Sequence, residues 1–284
     1  MRFSSYLRNE YQRLFDTCEI NKSDKVEDIL NEIEQNRLRY IAVGEELGIP
    51  WQIIGVIHNM ESSLNFSRHL HNGDRLTGRT IHVPAGRPKK GRPPFTWEES
   101  AIDALTLQRL HQWDDWSVPG ALYKLEGYNG WGYRLYHPHV LSPYLWSCSN
   151  HYKKGKYVAD GRWSDTAVSQ QCGAAVLLRR MAEKEMIDFE ILDVEPFTEF
   201  EGRPSPVENA STPNIVGLPL RYSSDGPIPG GEKLQRFLNQ FPGVYLRVDG
   251  WPGRKTSAAF RKVFGYYLMG DPLCTRVRGL EGTA

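Results

Sequence analysis

The run Ile53-Ile54-Gly55-Val56-Ile57-His58-Asn59-Met60-Glu61-Ser62-Ser63 constrains the fold of this chain more than any other segment. Its spacing is helical, with Pro50, Ile54, Ile57 and Glu61 on one face, which should point inward. Gly48 breaks the preceding pattern, and Pro50 suits a first-turn position. The inward face therefore ends on a carboxyl group. In a half-apolar wall the charged form of a carboxyl is disfavoured, so its pKa rises toward neutrality. A group still protonated near neutral pH is suited to general-acid catalysis. The competing reading is a helix-end acid facing solvent, the ordinary place for a glutamate.

The neighbouring segments read as follows. Residues 24–48 carry a 3.6-period stripe through Val26, Ile29, Leu30, Ile33, Tyr40, Ile41 and Leu47, with Asp24 and Glu27 at capping-box spacing. Residues 64–95 change character. Asn72-Gly73 signals a turn, and the β-branched Thr77, Thr80, Ile81 and Val83 predict a short hairpin or small sheet. Pro84 to Pro94, with Arg87, Lys89, Lys90 and Arg92, reads as an exposed loop. A solvated charge run is the simpler account of it, and a rim over an anionic polymer the functional one.

Thr96-x-x-Glu99 is a capping box that opens a helix to about Trp113, and Val118 to Leu125 is a further short helix. Tyr128-Asn129-Gly130-Trp131-Gly132-Tyr133 is a glycine- and aromatic-rich loop, either a packing corner or a sugar platform. Ser164 or Asp165 is expected to cap a long helix reaching about Met186.

Residues 195–214 hold four prolines among polar residues and almost no periodic apolar ones, the pattern of a linker. Three parts are thus expected: 1–194, the linker 195–214, and a compact segment 215–284. In the last, helices should begin near Gly231 and near Lys255, joined by the turn-rich Val248-Asp249-Gly250-Trp251-Pro252-Gly253.

Composition narrows the function. The 284 residues carry a formal net charge of +1, so no strong overall field draws the chain to nucleic acid or membrane. The 8 Trp and 14 Tyr suit sugar faces as well as core packing. The 4 Cys form no C-x-x-C or Cys/His cluster; no metal or cofactor is expected, and four reduced, buried thiols are favoured over a Cys148–Cys172 bridge. No run of 18 apolar residues is present, so no membrane span is expected. The N-terminus lacks the apolar region of a secretory signal, so the expected chain is made in the cytoplasm without a signal peptide.

Two resemblances add to this reading. Leu234-Gln235-x-x-Leu238, followed by Val248-Asp249-Gly250-x-x-Gly253-x-x-Thr256-x-x-Ala259-Phe260, resembles the small three-helix peptidoglycan-binding domain of many cell-wall hydrolases. Asp249 and Gly250 would form its tight turn and Thr256 would buttress its last helix. Over roughly 40–185, Ile57-x-x-Met60-Glu61-Ser62 and Tyr128-Asn129-Gly130 resemble the lysozyme-like superfamily, nearest to goose-type lysozymes and soluble lytic transglycosylases. The implied fold is mostly α: a lysozyme-like α+β catalytic domain with a small β-hairpin region, plus the three-helix domain.

The implied activity is cleavage of peptidoglycan between N-acetylmuramic acid and N-acetylglucosamine. Glu61 would be the general acid and Asp74, 13 residues on in the expected hairpin, the second acid. Ser62, Thr77, Tyr128, Asn129 and Tyr133 would contact the saccharide. If Asp74 plays no part, the muramic acid itself can close the ring, as in a lytic transglycosylase. A non-catalytic wall-binding protein and a chitinase are the other classes. Holin release, a virion or a secretion system would bring such a protein to the wall.

Overall fold

The computed structural model describes residues 1–159, 161–189, 220–241 and 243–273. Helices follow the apolar periodicity from the N-terminus on: α1 (Ser5–Asp16), α2 (Ser23–Gln35), α3 (Arg37–Leu47) and α4 (Trp51–Ser62). The stripe expected as one helix over 24–48 is two, parted at Asn36, and it buries Val26, Leu30 and Ile33 from one helix and Tyr40 and Val43 from the other. No side chain caps the start of α2. Glu27 instead pairs with Arg180 and Lys184, so the expected Asp24–Glu27 box is replaced by a tertiary contact.

Helix α4 runs through the core. Every residue from Ile53 to Met60 is buried, and burying each of Ile53, Ile54 and Ile57 contributes about 1.5–3 kcal/mol. Gly55 allows the approach of its neighbours, because a Cβ there would stand 2.8 Å from Cγ2 of Ile33. Helices α2 and α3 cover α4 on one side and α9 (Ala174–Glu183) on another.

The capping box at Thr96 and Glu99 forms in full and opens α5 (Trp97–Leu107), which a 3-10 turn at Leu110–Gln112 prolongs. Helix α6 (Val118–Asn129) packs on α1, α8 (Pro143–Trp146) and α9; α7 (Gly132–Tyr136) lies between α6 and α8 in sequence. The short hairpin or small sheet expected within 64–95 is reduced to one isolated antiparallel bridge, Arg68 to Arg75, across the Asn72-Gly73 turn. The β-branched run that follows, to Val83, is a loop, because the backbone N–H groups of Ile81 and His82 bond to the Asp74 carboxylate rather than to a facing strand. Among the described residues the strands are β1 (Lys156–Ala159) and β2 (Arg162–Ser164), an antiparallel pair. Ser164 thus ends a strand rather than capping a helix, and Gly173 precedes α9, which stops at Glu183.

Cys148 and Cys172 form a disulfide, against the expectation of reduced thiols, while Cys18 is free and buried. The tertiary fold brings the two Cα atoms to 5.1 Å, a separation a bridge requires and a sequence does not display.

The chain divides into two compact units, Met1–Glu190 and Ile191–Ala284. The segment read as a linker, 195–214, lies outside the described residues. In the second unit, α10 (Gly231–Leu238) and α11 (Arg254–Phe264) start where the sequence places them. They close over Leu220, Leu234, Leu238, Val244, Leu246 and Phe260. The described residues of this unit contain two helices, not the three the resemblance implies.

Candidate active site

Glu61 occupies the last turn of α4, half-buried, where the helix leaves the core. The hydroxyl of Tyr144, from α8, donates a 2.9 Å hydrogen bond to its Oε1. Tyr128, near the end of α6, lies close enough to feel the Glu61 charge. Burial pushes the Glu61 carboxyl up from 4.5 to about 7, and the Tyr144 hydrogen bond opposes that rise only in part. A helix C-terminus also disfavours an anion. Burial, and then the negative charge of Glu61, raise both tyrosines well above their ordinary value, so their hydroxyls stay protonated donors. The group combines a carboxylic acid that keeps a large protonated fraction near pH 7, a fixed donor on one of its oxygens, and partial access from outside.

The supports of this group are tertiary. Ser63 and Leu64 take left-handed backbone conformations (φ 52° and 59°), turning the chain sharply after Glu61. The side-chain amide of Gln171 donates to the carbonyls of Asn59 and Met60, both at 2.9 Å; the Asn59 carbonyl also accepts from the backbone of Ser63 at 3.1 Å, while that of Met60 is one the helix end leaves open. Gln171 adjoins Cys172, and Cys148 follows the helix carrying Tyr144 by two residues. The disulfide therefore ties the segment that grips α4 to the one that grips Glu61. Neither Tyr144 nor Gln171 stands out in the sequence; Tyr144 is 83 residues from its partner, and its helix is a four-residue turn opened by Pro143.

Asp74 is in a different setting. Its Oδ2 accepts from the backbone of Ile81 (2.8 Å) and His82 (3.0 Å), and its Oδ1 pairs with Nδ1 of His82 at 2.6 Å. Desolvation alone would raise this carboxyl, but the bonds from His82 and Ile81 outweigh it and hold it down at about 2. Asp74 is thus the organiser of its loop and a weak base. The loop itself abuts the site: a Cβ on Gly73 would lie 3.8 Å from the carbonyl oxygen of Glu61. Thr77 is exposed on the same loop.

Ser62 is buried, and its hydroxyl turns back to the carbonyl of His58 at 3.4 Å. This is the local bond open to a serine in a helix, and it directs the hydroxyl away from the expected sugar contact. Asn129 is exposed at the end of α6, and the expected loop 128–133 is instead the junction of two helices. Tyr133 is buried, and its ring packs against Tyr157 and Trp163. Its oxygen accepts from the backbone of Tyr157 at 3.4 Å. It anchors the β1–β2 pair instead of joining Tyr128. His58 and His69 are buried, the former among Tyr40, Phe66 and Trp97, as packing residues. Among the described residues no group of three or more His, Cys, Asp or Glu is placed to hold a metal, and no helix is long and apolar enough to cross a membrane.

In the second unit the motif residues converge on one buried amide. Gln235 donates to Oδ1 of Asp249 at 2.7 Å, to the carbonyl of Trp251 at 3.1 Å and to Oγ1 of Thr256 at 3.3 Å. Its oxygen accepts from the backbone of Asp249 and Gly250 at 2.9 and 2.8 Å. Gly250 adopts φ 73°, where a side chain is strained. Asp249, Gly250 and Thr256 therefore hold the fold of this unit.

No protein-family model, curated protein or solved structure matches the chain.

Proposed function

We propose that this chain cleaves the glycan strands of peptidoglycan, with Glu61 as the proton donor, and that the second unit holds it on the wall. The observation that carries this reading is the half-buried carboxyl near pKa 7 with Tyr144 on one oxygen. Glu61 would protonate the glycosidic oxygen as the bond between C1 of N-acetylmuramic acid and that oxygen breaks. The leaving sugar departs as an alcohol, and Glu61, now a carboxylate, can accept a proton from whatever attacks C1. Tyr144 would fix the carboxyl orientation, and Tyr128 would line the adjoining wall.

The attacking group separates two versions of the reaction. A muramidase would use water, activated by a second carboxylate. The involvement of Asp74 in three hydrogen bonds and its low pKa favour the other version. There the C6 hydroxyl of the same muramic acid attacks C1 and gives its proton to Glu61, leaving a 1,6-anhydro end. Mass spectrometry of digested sacculi distinguishes them: reducing muramic acid ends mean hydrolysis and anhydro ends mean transglycosylation. Glu61→Gln should fold normally and lose at least ~10²–10⁴-fold in rate. Undiminished wall clearing by that variant would refute the proposal, and intact glycans would leave a wall-binding protein without catalysis.

A further inference from the structure

The loop between α4 and α5 carries a feature that the proposed cleavage does not use. Residues 79–92 hold five basic side chains and no acid, in a chain whose net charge is only +1. Within this stretch, hydrogen bonds close a neck. Thr80 donates its backbone N–H to the carbonyl of Arg87 at 2.8 Å and accepts at its own carbonyl from Gly86 at 2.7 Å. Its hydroxyl donates to the carbonyl of Pro84 at 2.6 Å and accepts from the backbone of Arg87 at 2.9 Å. Residues 81–86 project beyond that neck.

The projecting tip is apolar apart from His82. Ile81 is 78% exposed and Val83 88%, with Pro84 and Ala85 following. It is also held in shape from below. Asp74 accepts from the backbone of Ile81 and His82, and the side-chain amide of Asn72 donates to the carbonyl of His82 at 3.0 Å. Two β-branched side chains are thus kept in water by a braced backbone.

Around the neck stands a cationic collar. Arg79 is tied to the carbonyl of Gly91 at 2.9 Å, and Arg87 to Asp103. Lys89, Lys90 and Arg92 are exposed, and no acid among the described residues pairs with them. The nearby acids are committed elsewhere: Asp74 to the tip, Asp103 to His71 and Arg87, and Glu99 to the Thr96 cap.

We propose that this loop is a contact site for an anionic lipid bilayer: Ile81 and Val83 enter the interface while Lys89, Lys90 and Arg92 lie against the headgroups. An apolar protrusion with a basic surround matches the two attractions that hold peripheral proteins at such a surface, apolar burial at the acyl boundary and charge attraction to anionic lipid. A soluble polyanion would use the collar and leave the tip in water, so the tip decides for the bilayer. The contact is independent of the chemistry at Glu61.

The test is co-sedimentation of the full chain with vesicles of phosphatidylcholine alone or with added phosphatidylglycerol, at low and physiological salt. Binding is expected only to the phosphatidylglycerol vesicles and should weaken as salt rises. Replacing Lys89, Lys90 and Arg92 together by Gln should lower partitioning roughly a hundredfold, about fivefold for each charge. Ile81→Ser with Val83→Ser should lower it about tenfold. Neither variant should change the melting temperature or the cleavage of soluble glycan fragments. Equal binding to both vesicle types, or binding unaffected by either variant, overturns the proposal. So does a serine variant that binds vesicles as wild type does while poly-glutamate competes for the collar, since the loop would then be a grip for acidic polymers.

Discussion

A carboxyl that stays protonated in the folded state costs stability once the pH exceeds its ordinary value. For Glu61 the ordinary value is 4.5 and the folded value about 7. The unfolded chain releases this proton first, so the fold loses stability as pH rises from about 4.5 to 7, and the loss is complete above that. Glu61→Gln removes the effect. Its melting temperature should match wild type at pH 4 and exceed it at pH 8, by the equivalent of about 1–3 kcal/mol. Thermal melts at the two pH values check this, and equal shifts at both would show that Glu61 is not held neutral by its surroundings. Tyr144 acts in the opposite sense, because its hydrogen bond favours the charged carboxylate. Tyr144→Phe should raise the Glu61 pKa further. A general acid must be protonated, so the alkaline limb of the pH–rate profile should move to higher pH while the overall rate falls through lost orientation. An unmoved limb would argue that Tyr144 does not hold Glu61 during the proposed reaction.

At the scale of elements, the site depends on segments that touch α4 from a distance. The disulfide closes a loop across a sequence separation of 24 and joins the end of α8 to the Gln171 support. Replacing both cysteines by serine should cost roughly 3 kcal/mol of stability on loop-entropy grounds. The alkaline limb of the rate profile should move in the same direction as for Tyr144→Phe, because Tyr144 is less firmly placed. Denaturant unfolding and a pH–rate series measure the two effects. The loop after α4 has a different organiser. Asp74→Asn leaves backbone donors of Ile81 and His82 with poorer partners, at about 1–3 kcal/mol locally, and should increase protease cleavage within 81–86. Glycan cleavage should remain within about tenfold of wild type; a loss as large as that of Glu61→Gln, ~10²-fold or more, would make Asp74 a catalytic residue.

For the whole molecule, the two units are expected to divide the work. A chain ending at residue 190 should cut soluble glycan fragments and bind sacculi less well, since the second contact gives effective concentration rather than chemistry. Equal pull-down of short and full chains would count against the tether. Gln235→Ala tests the second unit from inside. It removes five hydrogen bonds around one buried amide and strands several polar groups, a loss of several kcal/mol in a small unit. Sacculus binding should fall while cleavage of soluble fragments persists.

Local pattern was enough for the helix ending in Glu61, the capping box at Thr96 and the two helices of the second unit, because apolar spacing and capping chemistry act within one or two turns of the residue concerned. The raised pKa of Glu61 was legible for the same reason: the wall of α4 is written in its own sequence. Tyr144, Gln171 and the Cys148–Cys172 pairing were not, since each joins residues far apart in the chain, and proximity of that kind exists only after the helices pack. Tyr133 and Ser62 show the same limit from the other side. Their residue types suited a sugar site, but the ring was taken up by the β1–β2 pair and the hydroxyl by a carbonyl one helical turn back. Composition and periodicity determined which segments are helical and which acid sits at an apolar helix end; packing alone decided which side chains face that acid, because a hydrogen bond depends on distance in space and not on distance along the chain.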